Sequence, residues 1–226
     1  TQDCRGRFES EGEYDTIFQE APDGYDAVEW AARLSWSNGR VGTTGQSYLG
    51  LTQYLIACND PMPPSLQCMV PVSASADYHA SWIYQTGGVS KWGWLVPYAI
   101  FKGLDTLKRQ GRRDLMEKMK EYVEGGELAG VRKTRWGLNA FTPLTDEWYR
   151  HLPIKDWGEL LKETAPYMAD HIAHADDGEY WHRANVNHFA ETISTPMLHV
   201  TSWYDTFAEG GPAAYQSITA KSQFEE

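Results

Sequence analysis

Arg40-Val41-Gly42-Thr43-Thr44-Gly45-Gln46-Ser47-Tyr48-Leu49-Gly50-Leu51 is the stretch whose reading decides the fold of this chain. Residues 40 to 44 form a short run rich in Val and Thr, suited to a buried parallel strand. Gly45 to Gly50 read as a turn, and Leu51 to Asn59 continue as a helix until Pro61, Pro63 and Pro64 stop the pattern. Leu66 to Val72 is predicted as the next strand. Strand, tight turn, helix, strand is the repeating unit of a parallel α/β sheet. Upstream, Glu20 to Leu34 places Ala27, Val28, Ala31 and Leu34 on one helical face, with Asp23 at the expected N-cap and Ser37-Asn38-Gly39 as the closing turn.

A serine in such a turn carries a specific chemical reading. A nucleophile elbow leaves a strand, reverses within a residue or two and enters a helix, so the nucleophile sits in a strained conformation and its neighbours must be small. Gly45, two residues before Ser47, meets that need. The strict G-x-S-x-G pattern asks for glycine at 49, where this chain has Leu49, with Gly50 one place later. The helix that follows directs its dipole and first N–H groups toward Ser47, which makes the Tyr48 N–H a candidate oxyanion donor. The same spelling also fits a glycine-bearing strand-to-helix turn with an incidental serine.

From about Ala76 to Ile193 the texture becomes helical, with much Trp and Tyr. Arg112 to Glu124 sets Leu115, Met119 and Tyr122 on one side, and Gly158 to His171 is a second helical stretch. Thr195 to Thr201 then returns to a short apolar strand. Its polar end, Ser202-Trp203-Tyr204-Asp205, falls at a strand C-terminus, where open α/β sheets place ligand-binding residues. The expected organisation is a sheet core over 1–75 and 193–226, with a helical cap over 76–192.

Composition excludes some functions. The 226 residues carry a formal charge of −11, which argues against nucleic acid or an anionic membrane as partner. The longest apolar run, around Trp94 to Phe101, is interrupted by Pro97 and is too short to span a bilayer. The three cysteines (Cys4, Cys58, Cys68) lack metal spacing and read as buried free thiols, favouring a cytoplasmic origin. His171, His174, Asp176, Asp177, His182 and His188 invite a metal reading, but without strict ligand spacing a solvated acidic surface is preferred. No cofactor or metal is expected, and the oligomeric state is left open.

Several stretches together resemble a known family. Gln2-Asp3-Cys4-Arg5-Gly6-Arg7 with Ser10-Glu11-Gly12, then Asp23-Gly24-Tyr25-Asp26, Glu29-Trp30, Trp36 and Asn38-Gly39-Arg40-Val41-Gly42, match its early segments. Gly45-x-Ser47-Tyr48-x-Gly50 matches its elbow, and Pro196-Met197-Leu198-His199-Val200 with Trp203-Tyr204-Asp205 matches a later strand, with Ser202 where the family usually has glycine. Gly87-Gly88 and Tyr180-Trp181 match loosely. The family is that of cocaine esterase, α-amino acid ester hydrolases, glutaryl-cephalosporin acylases and X-prolyl dipeptidyl-peptidases.

The resemblance implies an α/β-hydrolase core with an inserted helical cap, and a Ser, Asp, His triad in that order. Ser47 carries over as nucleophile and Asp205 as the acid that orients the histidine. The histidine should follow Asp205, yet His79, His151, His171, His174, His182, His188 and His199 all precede it. With no initiator Met before Thr1 and no family oxyanion tyrosine upstream, the chain is expected to be a fragment lacking the first strands and the C-terminal part. The implied activity is cleavage of a small-molecule ester or amide through an acyl-enzyme. An X-Pro dipeptidyl-peptidase acting on short peptides is the alternative, and a non-catalytic binding module a third. Trp203, two residues from Asp205, is the preferred wall of a substrate pocket, ahead of Trp82, Trp92 and Trp94; Asp3 and Arg5 are expected to pair as a clamp at a strand end.

Overall fold

Val41–Gln46 (β1) and Leu66–Val72 (β2) pair in parallel, with Thr43 opposite Met69 and Gln46 opposite Val72. Parallel bridges of Met69 to Met197 and of Val72 to Val200 set residues 196–200 against the other side of β2. The Leu198 and Val200 N–H groups donate to the Met69 and Pro71 carbonyls at 3.0 and 3.1 Å. β2 therefore lies between β1 and residues 196–200, and all three run in one direction. This is a computed structural model, and it describes residues 2–85, 88–124 and 151–221, with side chains omitted for 120–124. Gly87 and the side chain of Tyr122 lie outside the described residues.

The chain divides into two compact units, one of Asp15–Val89 with Asp177–Glu226 and one of Thr1–Tyr14 with Ser90–Asp176. The first holds the sheet. Its first helix, α1, spans Glu20–Ala32, so Gln19 is the N-cap and Asp23 lies in the first turn instead of at the cap. The expected turn over residues 45–50 is also narrower than the glycines suggest. β1 runs to Gln46 and α2 (Tyr48–Ile56) starts at once, leaving only Ser47 between them. α2 is buried over most of its surface through Tyr48, Leu51, Tyr54, Leu55 and Ile56. Each fully buried leucine there contributes about 1.5–3 kcal/mol relative to exposure.

The second unit is helical. α3 (Trp92–Arg109) buries Leu95, Val96, Ala99, Ile100 and Leu107, an i, i+4, i+5 stripe, and α4 (Arg113–Glu124) packs on α3. Met119 of α4 is buried, in keeping with the predicted face. The stretch expected as one helix over 158–171 is broken into α5 (Trp157–Leu160) and α6 (Tyr167–Ala173). Pro166 caps α6, and a proline inside a continuous helix would lose a hydrogen bond and collide with the preceding turn. The helical unit covers 90–176, inside the 76–192 span predicted for the insert, and the first 14 residues group with it.

Those first residues form turns, not the end of a strand. Within them Arg7 is tied to the helical unit. The Arg7 guanidinium is 3.7 Å from the Asp105 carboxylate, donates to the Lys102 carbonyl at 2.8 Å and lies over the Tyr14 ring. Arg109, one turn along α3, donates to the carbonyls of Phe8 and Ser10. Of the three thiols only Cys58 is buried, and burial pushes its pKa up to about 12; Cys4 is half-buried and Cys68 exposed. Among the described residues no helix is long and apolar enough to cross a membrane.

Candidate active site

Ser47 is the hinge of the strand-to-helix reversal. Its backbone adopts φ 60°, ψ −126°, a region that non-glycine residues enter only at an energetic cost of about 1–3 kcal/mol. The conformation is held from both sides. The Ser47 N–H donates to the Val72 carbonyl at 2.9 Å, and the Ser47 carbonyl accepts from the N–H groups of Gly50 and Leu51 at 2.8 and 2.9 Å.

The two glycines explain the displaced motif. A Cβ on Gly45 would lie 2.2 Å from the Leu49 carbonyl oxygen, so only glycine lets α2 turn back over the strand end. A Cβ on Gly50 would lie 2.8 Å from the Val72 oxygen and 2.9 Å from both the Gly45 oxygen and the Ala74 Cβ. Leu49, by contrast, is 53% exposed. The position that faces the strand backbone is thus 50, and residue 49 is free to carry a large side chain.

Tyr48, the first residue of α2, is buried and its hydroxyl is surrounded by protein. It donates to the Glu20 carboxylate at 2.9 Å and accepts from the Ile17 N–H at 3.0 Å, with the Thr16 hydroxyl also at 3.0 Å. Trp82 meets the Tyr48 ring edge-on at 6.2 Å between centroids and packs on Phe207 at 4.1 Å. Trp82 therefore links the residue after Ser47 to the residue two past Asp205. Glu20, Thr16 and Phe207 had no local signal in the sequence, because their roles come from pairings 28 to 125 positions apart.

Asp205 follows the third sheet segment. Gln46, Val72 and Val200 lie in register across the three parallel segments, so Ser47 and Asp205 both emerge beyond the same edge of the sheet. The Asp205 carboxylate accepts from the Phe207 N–H at 2.9 Å, and its N–H donates to the Ser202 carbonyl at 3.2 Å, which fixes the aspartate in a turn before α8 (Gly210–Lys221). Trp203 stands on the same loop and is 91% exposed.

Several histidines have contacts of their own. His199 is half-buried and contacts the Tyr54 hydroxyl through Nδ1 at 2.7 Å. His171 of α6 is fully enclosed, which keeps it from solvent, and burial lowers its pKa to about 3. His182, in α7 (Glu179–His182), lies 3.1 Å from the Asp177 carboxylate and stacks on His188. Among the described residues no group of three or more His, Cys, Asp or Glu is arranged to hold a metal ion.

The model of the X-Pro dipeptidyl-peptidase (S15) family matches residues 1–224. The chain belongs to that family. It is 31% identical over 210 residues to the cocaine esterase of Rhodococcus sp. (strain MB1 Bresler), covering 91% of this chain and 33% of that protein. Among solved structures it resembles an aminopeptidase from a marine sediment archaeon (Thaumarchaeota), with TM-score 0.64, 20% identity and 96% and 34% of the two chains covered. It also resembles an α-amino acid ester hydrolase, with TM-score 0.60, 18% identity and 96% and 33% covered. The family and these likenesses establish an α/β-hydrolase-type fold. The chain spans about a third of the length of the relatives it matches.

Proposed function

We propose that this chain carries the nucleophile and the acid of a serine hydrolase that cleaves an ester or amide bond through an acyl-enzyme. The observation that supports it most is the Ser47 backbone, strained at φ 60° between β1 and α2 and held by glycines at 45 and 50. In this reading Ser47 Oγ attacks the acyl carbonyl carbon, and a histidine takes its proton and delivers it to the leaving group. The Tyr48 N–H donates to the developing oxyanion, and water then releases the acid. Asp205 orients that histidine, which we assign to sequence outside these 226 residues. Trp203, on the Asp205 loop, forms one wall of the substrate pocket.

A small acyl ester is the preferred substrate class, in line with the curated cocaine esterase relative. The description of the matching family favours a second reading, an X-Pro dipeptidyl-peptidase. Fluorophosphonate labelling of the full-length protein tests the shared chemistry: Ser47→Ala should abolish labelling, and unchanged labelling would overturn the assignment. Turnover of a chromogenic ester against Gly-Pro-anilide separates the two substrate readings.

A further inference from the structure

The strain at Ser47 raises a question that the elbow glycines do not answer. Small neighbours permit the turn, but something must also fix the direction of the peptide that follows it. A sparsely populated backbone persists only when its surroundings over-determine it. On the helix side, the group best placed to do so is the buried phenol of Tyr48.

A tyrosine hydroxyl has one proton to give and two lone pairs to receive. The Ile17 N–H can only donate, so the Tyr48 oxygen accepts there at 3.0 Å; the Glu20 carboxylate can only accept when ionised, so the phenol proton points to its Oε1 at 2.9 Å. With both ends set, the Thr16 hydroxyl at 3.0 Å acts as a donor. The ring is thereby held in one orientation by three groups. Ile17 is itself unusual: fully buried, β-branched and at φ +64°, so two strained residues are joined through one phenol. Glu20 is buried at the first turn of α1, where the helix N-terminus favours its charge. Burying a carboxylate is costly unless it is hydrogen-bonded, so its position against this phenol calls for a reason.

We propose that Glu20 is a positioning residue for catalysis, holding the Tyr48 phenol and, through it, the Tyr48 N–H in the orientation that receives the oxyanion. The inference rests on the reading of Ser47 as the nucleophile. Its test uses the full-length enzyme with Glu20→Ala, Glu20→Gln and Tyr48→Phe. Fluorophosphonate counts the competent sites, the adduct is located on Ser47 by peptide mass spectrometry, and kcat and KM for a chromogenic ester are expressed per labelled site. Loss of a whole oxyanion donor lowers kcat by about 100- to 1000-fold, and a displaced donor should lower it by roughly 10- to 100-fold. Glu20→Ala and Tyr48→Phe should show that fall in kcat per labelled site with KM changed less than about threefold, because the oxyanion forms only after binding. Glu20→Gln keeps an acceptor for the phenol and should recover most of the activity.

A kcat per labelled site within about twofold of wild type in both Glu20→Ala and Tyr48→Phe overturns the proposal and leaves Glu20 a structural residue, as does a Glu20→Gln variant that falls as far as Glu20→Ala. Should Glu20→Ala yield no labelled sites, Tyr48→Phe and Glu20→Gln decide between the same outcomes. An adduct found away from Ser47 in the wild type overturns the nucleophile assignment itself, which separates the two failures.

Discussion

The Tyr54 hydroxyl lies 2.7 Å from Nδ1 of His199, joining α2, the helix that Ser47 begins, to the segment that leads to Asp205. Burial holds His199 below its ordinary pKa of 6.5, so the folded chain favours the neutral ring. For a histidine whose folded pKa is depressed, the unfolded chain binds the proton first. The stability it contributes is present above pH 6.5 and is lost as pH falls from there toward the folded value. Tyr54→Phe, which deletes the hydroxyl and keeps the ring, should destabilise by about 1 kcal/mol in urea unfolding at pH 7.5. His199→Gln should flatten part of the loss of stability between pH 7 and 5, measured by thermal melts across that range.

His171 should make a larger contribution of the same sign. Its pKa falls to about 3, first through burial and then through nearby His174. At pH 5 the gap from 6.5 corresponds to about 2 kcal/mol lost relative to neutral pH. Replacement by phenylalanine, of similar shape and without a titrating group, should remove most of that acid lability. A loss of melting temperature from pH 7 to 5 in His171→Phe as large as in the wild type would show that the ring is not held neutral.

The elbow makes an asymmetric prediction. Gly50→Ala forces a methyl against two carbonyl oxygens and the Ala74 side chain, and none of these can move without displacing the strand ends. It should destabilise by about 1–3 kcal/mol and reduce fluorophosphonate labelling of the full-length protein. Leu49→Ala should be nearly silent in both measurements, because that side chain is largely exposed. A search guided by the strict motif would predict the opposite importance for the two positions.

Arg7 and Asp105 offer a third kind of test. Their side chains are 6% and 11% exposed, and the Asp105 carboxylate also accepts from the Phe8 N–H at 2.9 Å. Arg7→Ala leaves a half-buried carboxylate without its cation and removes the cation from the Tyr14 ring, so a loss of about 1.5–3 kcal/mol is expected. Asp105→Asn, which keeps an acceptor and removes the charge, should cost less. The comparison is read from urea midpoints of the two variants.

How much of this was legible beforehand follows the range of the interactions. β2 begins and ends where the run from Leu66 to Val72 predicts, and α1 starts at Glu20, the first residue of the stretch that reads as a helix, because strand and helix patterns are local signals. The break between α5 and α6 falls before Pro166, where a continuous helix over 158–171 would lose a backbone hydrogen bond. Cys68 was expected to be buried and is exposed, since the burial of a residue depends on which face of the sheet is covered.

By itself, the sequence determined β2, the start of α1, the Gly-x-Ser turn between β1 and α2, and the family, because these depend on short spacings and residue types. Only the tertiary structure decided why glycine is needed at 50 and not at 49, that Arg7 ties the first residues to Asp105, and that Glu20 reaches the phenol of Tyr48. Each of these is a close approach between groups far apart in the chain. Such distances follow from how helices and strands pack, and no local pattern of residues encodes them.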